Sequence, residues 1–292
     1  MPERAAPVPG ILLEDGLAWM QSCAPGSIGA VVTDPPFALK EFEPAERSRR
    51  VAGTGGVWRR PPALDGCRRR PVPRFTVLTP ADREALIAFY QDMAAGFARV
   101  LVPGGHAFVA TSPLFSHLAA AALEGAGLEK RGEIVRLVQT LRGGDRPKGA
   151  EAEFRDVTVM PRSAWEPWLL FRRPFGGTVA ACLRRHRAGA LRREGATRPF
   201  TDVIPSAPTP KAERALAPHD ALKPQDFMRR IVRAALPLGE GIVLDPFMGG
   251  GSTIAAAVAL GYQAIGIDRD PAAFAIAREG IPRLAALRGR GP

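Results

Sequence analysis

The segment that determines the fold spans residues 241–253 and reads GIVLDPFMGGGST. Its apolar start predicts a buried strand that ends at Asp245, and the three glycines that follow allow a tight turn close to a ligand. Ser252 can cap the next helix, and residues 263–267 predict another strand, which closes on Asp268. An acidic residue nineteen positions after the first of these glycines is typical of a βαβ unit that binds the ribose of a nucleoside.

The glycine pattern of this loop argues against a dinucleotide. A Gly-x-Gly-x-x-Gly motif would place a third glycine at position 254, where the chain has Ile254. Asp245 would repel a pyrophosphate, but it would attract an ammonium group because the charges are opposite. The loop therefore fits the methionine end of S-adenosylmethionine better than it fits NAD.

A second motif, Asp34-Pro35-Pro36-Phe37, follows another short apolar run at residues 30–33. Open α/β sheets bind ligands at the carboxyl ends of their strands, so both motifs would border one crevice. Taken alone, Asp-Pro-Pro after a strand is more often a plain turn. Its combination with the glycine loop favours a functional site.

The two motifs in this order resemble those of the β-class amino DNA methyltransferases, in which an Asp-Pro-Pro-aromatic motif precedes a Phe-x-Gly-x-Gly motif. The resemblance extends over nearly the whole chain. It implies an α/β fold with a doubly wound, mostly parallel, Rossmann-like sheet, an inserted basic loop and a small target-recognition region. It also implies methyl transfer from S-adenosylmethionine to the exocyclic amino group of a flipped DNA base.

Asp34 favours adenine N6 as the acceptor, since relatives that act on cytosine N4 often have serine at this position. Cytosine N4, a catalytically silent DNA-binding relative and an RNA-modifying relative stay open as alternatives. An exocyclic amino group is a weak nucleophile, and acceptors on both of its hydrogens make it more reactive. Asp34 and the carbonyl of Pro35 can be those acceptors, and Phe37 offers a face on which the base can stack. The reaction requires no metal.

The resemblance extends to individual site residues. Asp268 would hold the ribose, Asp15 would lie near the adenine, and Lys223 belongs to a segment that completes the cofactor pocket. The implied catalytic residues are Asp34, Pro35, Pro36 and Phe37, and the implied cofactor-binding residues are Asp15, Lys223, Asp245, Phe247, Gly249, Gly251, Ser252 and Asp268.

Forty basic and 29 acidic residues leave a net charge of +11, and 35 of the basic residues are arginine, which favours a nucleic-acid partner. Nine arginines lie in a Gly- and Pro-rich loop at residues 43–75, and eight lie between Arg172 and Arg198, partly on a helix expected around residues 179–193. A disordered insertion and a solvated helix are the alternatives. The residues predicted to contact DNA are Arg59, Arg60, Arg184, Arg185 and Arg187.

Helical and strand patterns alternate along the chain and support three regions. Residues 1–171 are the catalytic half, residues 172–218 the target-recognition region with a proline-rich linker from 199, and residues 219–292 the cofactor half. The scattered cysteines and histidines predict neither a zinc site nor a disulfide framework. With no leader or membrane span in the sequence, we expect a cytosolic protein that binds double-stranded DNA. A homodimer and a cognate restriction enzyme stay open.

Overall fold

A computed structural model describes residues 10–37, 39, 78–138, 146–147 and 149–287. The described residues form one eight-stranded mixed sheet. Its strands are β1 (Gly10–Leu13), β2 (Ile28–Thr33), β3 (Leu101–Ala110), β4 (Glu129–Leu137), β5 (Trp165–Arg172), β6 (Val203–Pro205), β7 (Ile242–Asp245) and β8 (Gln263–Asp268). Their order across the sheet is β1-β8-β7-β2-β3-β5-β4-β6.

Helices cover both faces of this sheet. They are α1 (Gly16–Ser22), α2 (Pro80–Val100), α3 (Ser116–Gly125), α4 (Val179–His186), α5 (Lys211–Leu216), α6 (Gln225–Ala235), α7 (Ser252–Ala259) and α8 (Pro271–Ala285). One apolar cluster joins α1, α2 and α3 to the sheet, and a second joins α6, α7 and α8 to its other face. None of the helices in the described ranges has both the length and the apolar character that a membrane span needs.

The central strand β2 explains why the sheet is covered on both sides. All six of its residues are buried. Val31 belongs to the first apolar cluster and Val32 to the second, because successive side chains of a strand point to opposite faces. A strand without a polar face is stable only between two layers of helices.

Seven strands share one direction, and β5 runs antiparallel to its neighbours β3 and β4. The carboxyl ends of the seven therefore lie at one end of the sheet, which we call the carboxyl end. The opposite end is the amino end. After β2 the chain crosses to the first apolar face and after β7 to the second, so these adjacent strands form the switch point at which such sheets bind ligands.

The doubly wound, mostly parallel sheet is confirmed, but three local predictions were wrong. Residues 199–218 are not a linker, because β6 pairs with β4 and α5 packs on α8. The helix that begins at Val179 ends at His186, where Arg187 turns into the left-handed region with φ 58°. Ser252 does not cap α7, because its N-cap is Gly251, whose φ of 82° suits glycine.

Candidate active site

Asp34 lies directly after β2 at the carboxyl end of the sheet, and its two carboxylate oxygens have different surroundings. Oδ2 accepts a hydrogen bond from the ammonium of Lys223 at 2.6 Å. Oδ1 is buried and has no hydrogen-bond partner among the described residues. Burial raises the pKa of Asp34, Lys223 opposes that rise, and the negative charge of Glu166 adds to it. The site therefore fixes one carboxylate oxygen and leaves the other able to accept a hydrogen bond.

Asp245 ends the neighbouring strand β7 and is only 2% exposed. Its Oδ1 accepts hydrogen bonds from the hydroxyl of Thr33 at 2.7 Å and from the backbone N–H of Phe247 at 3.2 Å. Burial raises the pKa of Asp245 to about 7, against these hydrogen bonds and one from Thr253. All of these donors are neutral, so a cation placed beside this carboxylate would gain a favourable ion pair.

Asp268 ends β8 and orients the glycine loop. Its Oδ2 accepts the backbone N–H of Gly249 at 2.9 Å, and its Oδ1 accepts that of Asp270 at 2.8 Å. A carboxylate offers about four lone-pair positions, so this half-buried side chain retains capacity for ligand hydroxyls. The His219 ring packs so closely that a Cβ on Gly249 would lie 2.9 Å from it. The loop is thus held on both sides.

Three other predicted cofactor residues have clear structural contacts. Asp15 is the N-cap of α1, and its Oδ1 accepts the N–H groups of Leu17 and Ala18, each at 3.0 Å. The hydroxyl of Ser252 accepts the backbone N–H of Lys223 at 3.0 Å. The Lys223 ammonium lies against Asp34. The segment predicted to complete the cofactor pocket therefore also contacts the candidate catalytic residue Asp34.

Aromatic rings border this centre. Phe37 is half-buried, its carbonyl accepts the hydroxyl of Tyr90 at 3.3 Å, and its ring centroid lies 5.7 Å from the Lys223 ammonium. Phe247 packs on Phe89 of α2 with ring centroids 5.6 Å apart. These contacts join α2 to both sequence motifs.

The second arginine cluster lies far from these residues. Cys182 of α4 contacts the carbonyl of Pro103 near the start of β3, and Arg187 pairs with Glu240 just before β7. Arg184 and Arg185 are exposed on the same short helix, at the amino end of the sheet. The six residues of β2 span roughly 16 Å between the two ends. The structure therefore does not bring Arg184, Arg185 or Arg187 to Asp34, and Arg59 and Arg60 lie outside the described residues.

Two charged residues of the site were missed by the sequence analysis. Glu166, 9% exposed on β5, lies 2.9 Å from the Lys223 ammonium, and Arg136, 5% exposed on β4, lies 2.6 Å from Glu166. Glu166 is a charged residue in the mostly apolar strand β5, but Arg136 has no such signal, because β4 also contains Glu129, Lys130, Arg131 and Glu133. Such a signal identifies no partner, because the two strands are joined by a connection of 27 residues, from 138 to 164.

Comparisons with known proteins find similarity to DNA methyltransferases. A family model described as a DNA methylase of the N6/N4 type matches residues 159–279. The chain is 23% identical over 278 residues to the Type II methyltransferase M.HindIII of Haemophilus influenzae, with 86% of this chain and 88% of that protein covered. It is 37% identical over 78 residues to the Type II methyltransferase M2.DpnII of Streptococcus pneumoniae, a match that spans 27% of this chain and 29% of that protein.

Among solved structures, the fold is similar to that of TTHA0409 from Thermus thermophilus, a proposed DNA modification methylase. The TM-score is 0.60 at 18% identity, with 96% of this chain and 97% of that one covered. A second structure of TTHA0409 is a complex with S-adenosyl-L-methionine. The family model, the methyltransferase relatives and the shared fold thus show that the chain is similar to DNA methyltransferases over part of its sequence and over nearly all of its fold.

Proposed function

We propose that the protein transfers a methyl group from S-adenosylmethionine to adenine N6 of a base flipped out of double-stranded DNA. The observation that carries methyl transfer to an amino group is the buried Oδ1 of Asp34, which lacks a partner among the described residues while Oδ2 is held by Lys223. Aspartate at this position, where relatives that act on cytosine N4 often have serine, favours adenine. An acceptor in this position suits one hydrogen of an exocyclic amino group. The Pro35 carbonyl would be the second acceptor, because two consecutive prolines give this turn backbone acceptors without backbone donors.

The proposed cofactor fits the neighbouring residues. S-adenosylmethionine supplies an electrophilic methyl group on a sulfonium centre and carries an amino-acid ammonium group. Asp245 can bind that ammonium, since its carboxylate is buried with only neutral described donors and has a raised pKa. Asp268 can accept the ribose hydroxyls with the lone-pair positions left by its two backbone contacts. Asp34 and Asp245 follow adjacent strands, so base and cofactor would meet at the switch point.

In this reaction the protein acts mainly by position and charge. As the new N–C bond forms, the bond between the methyl group and the sulfonium sulfur would break and leave a neutral thioether. Positive charge then develops on the acceptor nitrogen, and the carboxylate of Asp34 stabilises it more strongly than it stabilises the neutral amino group. The nitrogen then loses one proton to a base or to water. Phe37 holds the flipped ring by stacking, which is worth roughly 1 to 3 kcal/mol per base in proteins that bind single strands.

Asp34→Ala tests the assignment. We expect single-turnover methylation to fall roughly 100-fold or more, because removal of a transition-state partner typically has an effect of that size. Binding of S-adenosylmethionine and of DNA should be preserved. Asp92→Asn, which changes an exposed carboxylate on α2, is the matched control and should react at the wild-type rate.

The product identifies the acceptor. DNA methylated by the wild-type protein is digested to nucleosides and separated by mass spectrometry. N6-methyladenosine in its deoxy form supports the proposal, whereas N4-methylcytosine would replace adenine with cytosine as the acceptor. An Asp34→Ala protein that methylates at the wild-type rate would refute the role of this carboxylate.

A further inference from the structure

Four buried charged side chains form a continuous row that begins at Asp34. The Lys223 ammonium lies 2.6 Å from Asp34 Oδ2 and 2.9 Å from Glu166 Oε1, and Glu166 Oε2 lies 2.6 Å from Arg136 Nη1. The side chains of these four residues are between 6% and 17% exposed. The charges alternate and sum to zero. A row of this kind is costly to bury unless each member is paired, and here the Lys223 ammonium pairs with both carboxylates.

The far end of the row is anchored to the sheet. Arg136 Nε donates to the hydroxyl of Ser206 at 3.0 Å, and its Nη2 donates to the carbonyl of Ala207 at 2.9 Å. Its guanidinium also lies 5.1 Å from the centroid of the Phe227 ring. Because Arg136 is fixed from three sides, it fixes Glu166, which in turn positions the Lys223 ammonium.

The charges determine which form Asp34 takes. Burial raises its pKa, and Glu166 raises it further, so without a cation Asp34 would be pushed toward its protonated form. Burial alone would lower the pKa of Lys223, but Asp34 and Glu166 outweigh it and the pKa is raised. Lys223 thus stays an ammonium. A protonated carboxyl group would lose acceptor capacity where the proposed reaction needs it.

We propose that Lys223 is a positioning residue for methyl transfer: its ammonium, held by Glu166 and Arg136, keeps Asp34 ionised with Oδ1 directed at the acceptor base. This inference rests on the function proposed above. It assigns the Lys223 side chain to the catalytic carboxylate, although the same segment contacts the cofactor loop through the Lys223 backbone and Ser252.

The pH dependence of single-turnover methylation distinguishes a Lys223 side chain that positions Asp34 from one that binds the cofactor. Loss of an opposite charge at this distance moves a carboxylate pKa by roughly 1 to 3 units. In Lys223→Met the acid limb of the rate profile should therefore shift to higher pH by at least about one unit, while S-adenosylmethionine affinity at pH 8 stays within about two-fold of wild type. Lys223→Arg keeps the positive charge and should leave the acid limb close to that of the wild type. Lys211→Met, on the exposed surface of α5, is the control.

Other titratable groups near Asp34 could produce an acid limb. They are Asp245 on β7 and His219 on the segment before Lys223, besides Glu166 on β5 and Arg136 on β4. The carboxyl pKa of Asp34 is therefore also measured directly, by NMR of protein labelled with ¹³C at aspartate and assigned with Asp34→Ala. This titration needs no methylation activity, so it tests the inference even if the proposed function fails.

The outcomes are separable. A raised Asp34 pKa in Lys223→Met, with a parallel shift of the acid limb, supports the inference. An unchanged pKa and acid limb, together with S-adenosylmethionine affinity reduced ten-fold or more, would overturn it in favour of a cofactor contact. If Lys223→Met does not fold, the double variant Lys223→Met/Glu166→Gln also removes the repulsion between Glu166 and Asp34. The pKa of Asp34 in this double variant should still exceed that of the wild type, because burial remains and the Lys223 charge is gone. A value equal to that of the wild type would overturn the inference.

Discussion

Asp245→Asn should change how the stability of the cofactor-free protein depends on pH. The folded-state pKa of Asp245 is raised from about 3.8 to about 7, chiefly by burial. The folded protein therefore binds this proton more tightly than the unfolded chain does. The resulting stabilisation is complete below the unfolded pKa and is lost as the pH rises through the folded pKa.

The magnitude follows from the size of the pKa shift. About three units correspond to roughly 4 kcal/mol between the protonated and ionised forms, at about 1.36 kcal/mol per unit. About 2.6 kcal/mol of this stabilisation is lost between pH 5 and pH 8. At pH 5 the unfolded chain is already ionised at this position, and the folded-state pKa lies about two pH units higher. Asparagine does not ionise, so the variant should not lose this contribution. Any altered hydrogen bond to Thr33, Thr253 or Phe247 adds a cost that does not depend on pH.

Urea unfolding of both proteins at pH 5 and pH 8 measures the difference. The free energy of unfolding of Asp245→Asn, relative to wild type, should rise by about 2.6 kcal/mol from the lower pH to the higher. Asp92→Asn is the control for an exposed carboxylate and should show no such change. Equal pH dependence for Asp245→Asn and wild type would show that the pKa of Asp245 is not raised, and the argument that this carboxylate binds the cofactor ammonium would lose its support.

S-adenosylmethionine should reduce the loss of wild-type stability between pH 5 and pH 8. Its ammonium would hold Asp245 ionised, so saturating cofactor should reduce the pH dependence of wild-type stability that the group causes. The affinity of the wild type should also fall below about pH 7, by up to about ten-fold per unit, because binding must displace a proton. An affinity that is flat between pH 5 and pH 8 would place the ammonium elsewhere.

Two further predictions concern the cofactor loop and the amino end of the sheet. Asp268→Ala should weaken S-adenosylmethionine binding by roughly 1.5 to 3 kcal/mol, the usual range for a hydrogen bond to a charged group. DNA affinity should stay nearly intact. Calorimetry that finds unchanged cofactor affinity in the folded variant would contradict this prediction. Arg184→Gln/Arg185→Gln should keep the wild-type single-turnover rate at saturating DNA, because α4 lies at the opposite end of the sheet from Asp34. A large loss of rate would mean that the target duplex also reaches that end.

Local sequence signals predicted much of the fold and the strand-end residues of the site. Asp34, Asp245 and Asp268 each follow an apolar run, and a parallel arrangement necessarily collects such residues at one end of the sheet. The tight turn after Asp245 was predicted from its glycines. Gly249 and Gly251 adopt positive φ angles, which glycine tolerates because it has no Cβ. These features depend on neighbours within a few positions.

Contacts between distant segments could not be predicted in this way. The sequence suggested that Arg184, Arg185 and Arg187 belong to a target-recognition region, but the antiparallel direction of β5 delivers the chain to the amino end instead. Strand direction is a property of pairing between segments, and no local pattern in residues 165–172 distinguishes the two directions.

The sequence by itself therefore determined the class of fold, the order of the two motifs and the carboxylates at the strand ends, because each follows from periodicity and turn chemistry over short spans. Only the tertiary structure decided that Lys223 meets Asp34 and Glu166, and that Arg136 completes the row. Asp34 and Lys223 are 189 positions apart. Their ion pair exists because the packed sheet brings β2, β4, β5 and the start of α6 to one place, and the burial that results gives these charges their effect on one another.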